Sequence, residues 1–352
     1  MPKNPFTIIF GIEPDSMIPR NKEYMQIVND FESPSPVSYA YVITGVRGCG
    51  KTVLMTSIQN YFTTQKNWIV LRLNPDLDLY ESAISQLNEY IRLKNETVTD
   101  MNISIASIGG GLARRSLSDN ETLLKKLLKE AKKNNKRVLI TIDEASNTKS
   151  IKTFFHSYQA FIGETLPVFL LMTALPENFS ALSNAKNSTF IRRLPRIKLQ
   201  GLNNLLVEDK YMEIFSLAQE EALPLSKVVN GYPYAFQLLG TLLWDTDKRS
   251  VDASILRKLD AMLYDGSYKA IWDHLTERER DVVLAIAHSK ESSIKEIRQK
   301  LNMESNQFSP YREILKENGL IDTNTYGMIF FTLPRFKEFV LHIEEYMLPE
   351  LL

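Results

Sequence analysis

Residues 38–65, SYAYVITGVRGCGKTVLMTSIQNYFTTQ, are the stretch from which the fold can be read. SYAYVI at its start is a short apolar run of the kind a fully buried strand needs. From Thr52 to residue 65 apolar residues recur at helical spacing. Between the two stands Gly45-Val46-Arg47-Gly48-Cys49-Gly50-Lys51-Thr52, a complete GxxxxGKT. Glycines let the main chain wrap so that successive N–H groups and a helix N-terminus converge on a phosphate. The lysine neutralises β/γ charge and the final hydroxyl ligates Mg²⁺. Strand before, helix after and motif between agree, so Gly45 to Val53 read as a phosphate-binding loop, with Lys51 on phosphate and Thr52 on the metal.

Working outward, 68–73 (WIVLRL), 137–142 (RVLITI) and 167–172 (PVFLLM) are further strand-like runs, with a shorter one from Arg196 to Leu199. Amphipathic segments at 52–65, 78–94, 119–134 and 149–163 alternate with them, which is the pattern of an α/β fold with a parallel sheet. Residues 101–111, MNISIASIGGG, break the alternation and read as an inserted hairpin or loop. After Gly201 the strand signal ends, and helical periodicity covers 203–220, 233–245 and 252–265, a small all-helical lid. From Trp272 three helical stretches (ERERDVVLAIAHS, IKEIRQKLN, and one from Ser309 through YREILKEN) precede GLIDTNTYGMIFFTL, two short strands around a turn at Asn324 to Gly327. Three helices and a hairpin make a winged helix-turn-helix, with a last helix over 334–347. The expected division is a core over 1–200, a lid over 201–266 and a winged helix over 267–352.

A phosphate-binding loop only binds. Hydrolysis needs a second strand that brings an acid to the metal and a base to water. Arg137 to Glu144, RVLITIDE, supplies it: an apolar strand ending in Asp143, for the Mg²⁺ shell, and Glu144, to orient and polarise water. His156 and His288 have no companions at ligand spacing, and no Ser/His/Asp or Cys/His nucleophile set is evident.

Composition narrows the classes further. The 352 residues and 40.4 kDa exceed one ordinary domain, and 44% hydrophobic with 24% charged residues is globular. Lys+Arg and Asp+Glu are 42 each, so no global field announces nucleic acid or a membrane surface. One cysteine, Cys49, makes no internal disulfide. The opening MPKNPFTIIFGIEPDSM lacks the features of a signal peptide, and no run approaches the ~18 apolar residues of a membrane span. The expectation is a cytoplasmic protein with no membrane partner.

With these motifs the chain resembles the AAA+ ATPases, in particular the initiator-like branch of bacterial and archaeal ATP-binding proteins with a helical lid and a C-terminal winged helix. The resemblance rests on GVRGCGKT, VLITIDE, LLMTA at 170–174, FIRRLPRIKLQGL at 190–202, GYPYAFQLLG at 231–240 and FGIEPDSMIPRNKEYMQIV at 10–28. It implies ATP and ADP as ligands, Mg²⁺ as cofactor, and ATP hydrolysis used as a conformational switch. It also implies that Thr173, ending the fourth strand, acts as sensor 1. Arg193 or Arg192 matches the arginine with which oligomeric relatives reach a neighbour's γ-phosphate, so a nucleotide-dependent homo-oligomer is implied. Where the family carries a lid arginine, Gly231-Tyr232-Pro233-Tyr234 offers tyrosine. That lid is similar to the GxP lid of STAND-type signalling ATPases, in which the proline, here Pro233, packs near the nucleotide. Loss of the lid arginine removes a charge from the γ-phosphate, so hydrolysis is expected to be slow.

The winged helix leaves two readings open. Asn306, Gln307, Tyr311 and Arg312 are polar groups at the start of the recognition helix, with Ser309 as N-cap and Pro310 at N1, and they suit double-stranded DNA. Lys295, Arg298 and Lys300 add charge on the preceding helix. Yet between residues 276 and 345 ten Lys/Arg stand against twelve Asp/Glu, and phosphate attraction supplies most non-specific affinity. The alternative is a STAND-like switch whose winged helix meets a protein partner or the ATPase core.

Overall fold

The computed structural model describes residues 3–9, 11–94, 117–185 and 189–347. The stretch 101–111 expected as an inserted hairpin or loop lies outside the described residues. Two compact units emerge, one built from Asn21–Thr44 and Leu54–Ile197, the other from Met1–Arg20, Gly45–Val53 and Lys198–Leu352.

In chain order the first stretch contains α1 (Asn21–Glu32), β1 (Ala40–Thr44), α2 (Lys51–Thr64), β2 (Trp68–Leu73), α3 (Leu79–Lys94) and α4 (Leu117–Lys133). It continues with β3 (Arg137–Ile142), α5 (Lys149–Gly163), β4 (Val168–Ala174), α6 (Pro176–Asn184), α7 (Thr189–Arg192) and β5 (Arg196–Lys198). The strands make one five-stranded parallel sheet in the order β2-β3-β4-β1-β5. Every residue of β1 and of β4 is buried, which is why these strands are continuous apolar runs rather than alternating ones. Register pairs Thr44 with Ala174 and Ile142 with Met172, so β1, β3 and β4 end at one edge of the sheet. Phe62 and Phe169 close on Trp68 with ring centroids 4.3 and 4.9 Å away. Arg137 covers that cluster from 5.6 Å above Trp68 while donating to the Phe31 carbonyl at 2.7 Å. Burying rings of this size contributes about 2 kcal/mol each, which is what fixes the sheet.

The second unit's helices are α8 (Asn204–Phe215), α9 (Gln219–Val229), α10 (Pro233–Asp245) and α11 (Ala253–Leu263). A five-residue π-helical turn, Tyr264–Tyr268, leads into α12 (Lys269–His274). Then come α13 (Glu277–Ala287), α14 (Ile294–Lys300), α15 (Ser305–Glu317), β6 (Ile321–Asp322), β7 (Phe330–Phe331) and α16 (Phe336–Met347). β6 and β7 pair antiparallel, Ile321 opposite Phe331, and a bridge from Ser293 to Met328 extends the ribbon. One hydrophobic core runs from Phe6 and Ile18 through Val207 and Leu239 to Phe336 and Ile343.

The pattern over 203–220 resolves into two helices because Ser216 is left-handed at φ 54° and ends α8. The third helix of the C-terminal segment starts earlier than expected. Glu304, not Ser309, is its N-cap, with Gln307 accepting from the Glu304 N–H at 2.9 Å, and Pro310 therefore sits inside α15. The Glu304/Gln307 exchange satisfies an end of the helix, so the chain begins winding five residues sooner. Among the described residues no helix is long and apolar enough to cross a membrane.

Candidate functional site

The phosphate loop turns on three glycines with positive φ: Gly45 at 158°, Gly48 at 74° and Gly50 at 90°. Its carbonyls are held by side chains. Lys51 is 8% exposed, and its Nζ donates to the Gly45 and Val46 carbonyls at 2.9 and 3.1 Å. Arg20 Nη2 donates to the Cys49 carbonyl at 3.0 Å and to that of Gln200 at 2.8 Å. Tyr232 donates to the Arg47 carbonyl at 2.7 Å. Cys49 is buried, and the space beside its Sγ is available because Gly45 has no Cβ. Thr52 and Val53 are half-buried in the first turn of α2. Pro233 is N1 of α10, where a missing N–H costs nothing, and follows the buried Tyr232 directly. Burial pushes the Tyr232 phenol far above its ordinary pKa, so it is a standing hydrogen-bond donor.

In the sheet unit, Asp143 and Glu144 follow β3 at the edge where β1 and β4 also end. Thr173, fully buried near the end of β4, organises both. Its hydroxyl donates to Asp143 Oδ1 and accepts the Glu144 N–H at 2.9 Å. The Glu144 N–H also reaches Asp143 Oδ1 at 3.2 Å, and the Ala145 N–H donates to the Thr173 carbonyl at 2.8 Å. Glu144 is held left-handed at φ 53°, a conformation that costs a non-glycine residue about 1–2 kcal/mol and persists because these bonds over-determine it. Its carboxylate remains exposed. Thr44, the last residue of β1, has a buried hydroxyl with no hydrogen-bond partner. Both arginines are exposed, and Arg192 donates through Nε to the Ser183 carbonyl at 2.6 Å.

On α15, Asn306 and Gln307 are exposed, Gln307 being part of the cap, while Tyr311 packs against the core. Arg312 is paired with Glu313 at 2.9 Å, Arg298 with Glu304 at 3.3 Å and Lys300 with Glu296 at 3.2 Å. Among the described residues no cluster of three or more His, Cys, Asp or Glu forms a metal cage.

Two contacts at the loop are not legible from a motif: the Tyr232 hydroxyl on Arg47, and Arg20 bridging Cys49 to Gln200. Each joins residues far apart in sequence. The only local signals are a tyrosine ahead of Pro233 and an arginine after Pro19.

A family model described as a domain of unknown function (DUF8462) matches residues 265–340. A disease resistance protein of Arabidopsis thaliana, RRS1B, is 23% identical over 264 residues, which is 70% of this chain. The matched stretch spans only 16% of that protein's length. Among solved structures, a Walker-type ATPase of Pyrococcus abyssi superposes with a TM-score of 0.67 at 13% identity, covering 93% of this chain and 96% of that one. The ORC2 protein of Aeropyrum pernix, solved in ADPNP–ADP complexes, gives a TM-score of 0.61 at 15% identity, with 97% of each chain covered. Sheet order and these superpositions over almost the whole chain agree: the chain has the α/β fold of the Walker-type ATPase and the ORC2 protein.

Proposed function

We propose that this protein binds MgATP on the Gly45–Val53 loop, hydrolyses it slowly and uses the change from ATP to ADP to control what its C-terminal helices engage. The observation that carries this reading is the phosphate loop itself, whose carbonyls at residues 45, 46, 47 and 49 are each held by Lys51, Tyr232 or Arg20. Such a loop is organised before an anion arrives, so little ordering entropy is lost on binding. Lys51 then exchanges its carbonyl partners for phosphate oxygens. Thr52 and Asp143 are the residues that would offer hard oxygens to Mg²⁺. When bound, the ion neutralises charge on the phosphates. Glu144 is the general base that orients and deprotonates water, and Thr173 fixes the acid pair rather than touching phosphate first. A tyrosine in the lid where an arginine would add charge accounts for slow turnover. Arg192 or Arg193, both exposed, is the arginine offered to a second copy of the chain in a nucleotide-dependent oligomer.

In this reading residues 1–200 act as core, 201–266 as lid and 267–352 as a winged helix. The first candidate partner of the winged helix is double-stranded DNA, met by Asn306 and Gln307 on α15. A second reading, contact with a protein, is favoured by the acidic partners of Arg298, Lys300 and Arg312, which leave little charge for phosphates.

Fluorescence anisotropy of a labelled duplex with MgATP, MgADP or no nucleotide separates them. Binding that follows the nucleotide and weakens with salt supports DNA, and no binding in any state supports the protein reading. For the site itself, Lys51→Ala is expected to lose nucleotide binding and Glu144→Gln to bind without turnover. Equal turnover in Glu144→Gln and wild type would remove the base assignment.

A further inference from the structure

The Tyr232 hydroxyl is buried and touches two oxygens, the Arg47 carbonyl at 2.7 Å and Ser267 Oγ at 2.9 Å. A carbonyl has no proton to give, so the phenol proton goes to Arg47 and Ser267 must donate to the phenol oxygen. A trans peptide holds its C=O and N–H antiparallel, and no described peptide is cis. Fixing the Arg47 carbonyl toward Tyr232 therefore turns the Gly48 N–H to the opposite side of the loop. Arg20 does the same two peptides further on, through the Cys49 carbonyl.

The fit is close at both ends of the tyrosine pair. A Cβ on Gly48 would stand 2.3 Å from the Tyr232 hydroxyl, and one on Gly266 would stand 2.0 Å from that of Tyr234. Gly48 lies in the phosphate loop, and Gly266 with Ser267 lies in the π-helical turn Tyr264–Tyr268. Turns of that type are strained insertions that recur at functional sites. The same turn presents Tyr268, fully buried, whose hydroxyl donates to the Pro334 carbonyl. The next residue, Arg335, grips Asp260 of α11 through two bonds at 2.6 and 2.7 Å. A continuous set of contacts thus runs from the phosphate loop to the start of α16, all within one compact unit.

We propose that Tyr232 is a positioning residue whose hydroxyl sets the Arg47–Gly48 peptide for phosphate and, through Ser267 and the π-helical turn, makes the Pro334–Arg335 segment respond to nucleotide on the loop. This rests on the reading of that loop as a nucleotide site. A role in packing alone predicts a loss of stability and nothing more, since Tyr232→Phe keeps the ring.

The test uses the full chain as wild type, Tyr232→Phe and Ser267→Ala, measuring affinity for a fluorescent ADP analogue with Mg²⁺ and amide hydrogen exchange over residues 329–336 with and without saturating ADP. Wild type is expected to bind and to change its exchange there. Tyr232→Phe is expected to bind about threefold to tenfold more weakly and to lose the exchange response. Ser267→Ala leaves the Arg47 bond in place, so it should bind within about twofold of wild type while also losing the response. Wild-type affinity and response in both variants would overturn the proposal and leave the nucleotide site standing. No binding by the wild type would overturn the nucleotide reading and the proposal together. If Tyr232→Phe does not fold, Ser267→Ala decides alone, a retained response being the contrary result.

Discussion

Thr173 is buried on all sides, and its single hydroxyl serves Asp143 as a donor and the Glu144 N–H as an acceptor. Valine has the same shape and neither function. Thr173→Val is expected to leave nucleotide affinity near wild type and to lower turnover about tenfold to a hundredfold, because Glu144 is no longer held at its left-handed φ. Steady-state kinetics beside equilibrium binding checks this, and a parallel fall in both would show that Thr173 acts on binding instead. In the C-terminal segment, Glu296 accepts from the Ser289 hydroxyl and from the Lys290 and Glu291 N–H groups, and Lys300 lies beside it. These bonds lower its pKa from 4.5 to about 2. The carboxylate form is thus favoured by folding, so its contribution is complete above pH 4.5 and is lost as pH falls toward 2. Thermal melts of wild type and Glu296→Gln should differ most above pH 4.5 and converge toward pH 2. A constant difference across that range would contradict the assignment. Residue identities were enough to single out GxxxxGKT and the Asp-Glu after β3 as candidates. They could not show that Arg192 would be taken up by Ser183, or that Tyr232 would reach Arg47, because both depend on long-range packing.

At the scale of elements, the buried strands were plain from apolar runs, and 68–73 and 137–142 agree with β2 and β3 to the residue. Helix ends were harder, because they are set by caps. α13 begins at a capping box in which Thr276 and Glu279 exchange side-chain and main-chain bonds, at 3.4 and 2.8 Å. Thr276→Ala should cost about 1 kcal/mol in denaturant unfolding, and no change would mean the box is not formed in solution. The start of α15 shows the limit of local reading. Ser309-Pro310 has the form of a helix start, but Glu304 and Gln307 cap the chain earlier and Pro310 is carried inside at the loss of one helical bond. Ser216 likewise divides one periodic stretch into two helices through a left-handed turn that periodicity does not reveal.

For the whole molecule, α8 to α11, the C-terminal helices and the N-terminal Phe6 share one hydrophobic core, while the sheet has its own. A nucleotide held by the loop is therefore placed in the same unit as α13 to α16, which is the basis for reading the protein as a switch. The central claim is that Gly45–Val53 binds nucleotide, and the direct measurement is equilibrium titration of a fluorescent ATP analogue with Mg²⁺ into wild type and Lys51→Ala. The account predicts saturable binding by the wild type and at least about a hundredfold weaker binding by the variant, as expected when a buried charge partner of the phosphates is removed. Equal affinity in the two proteins, or none in the wild type, would contradict it.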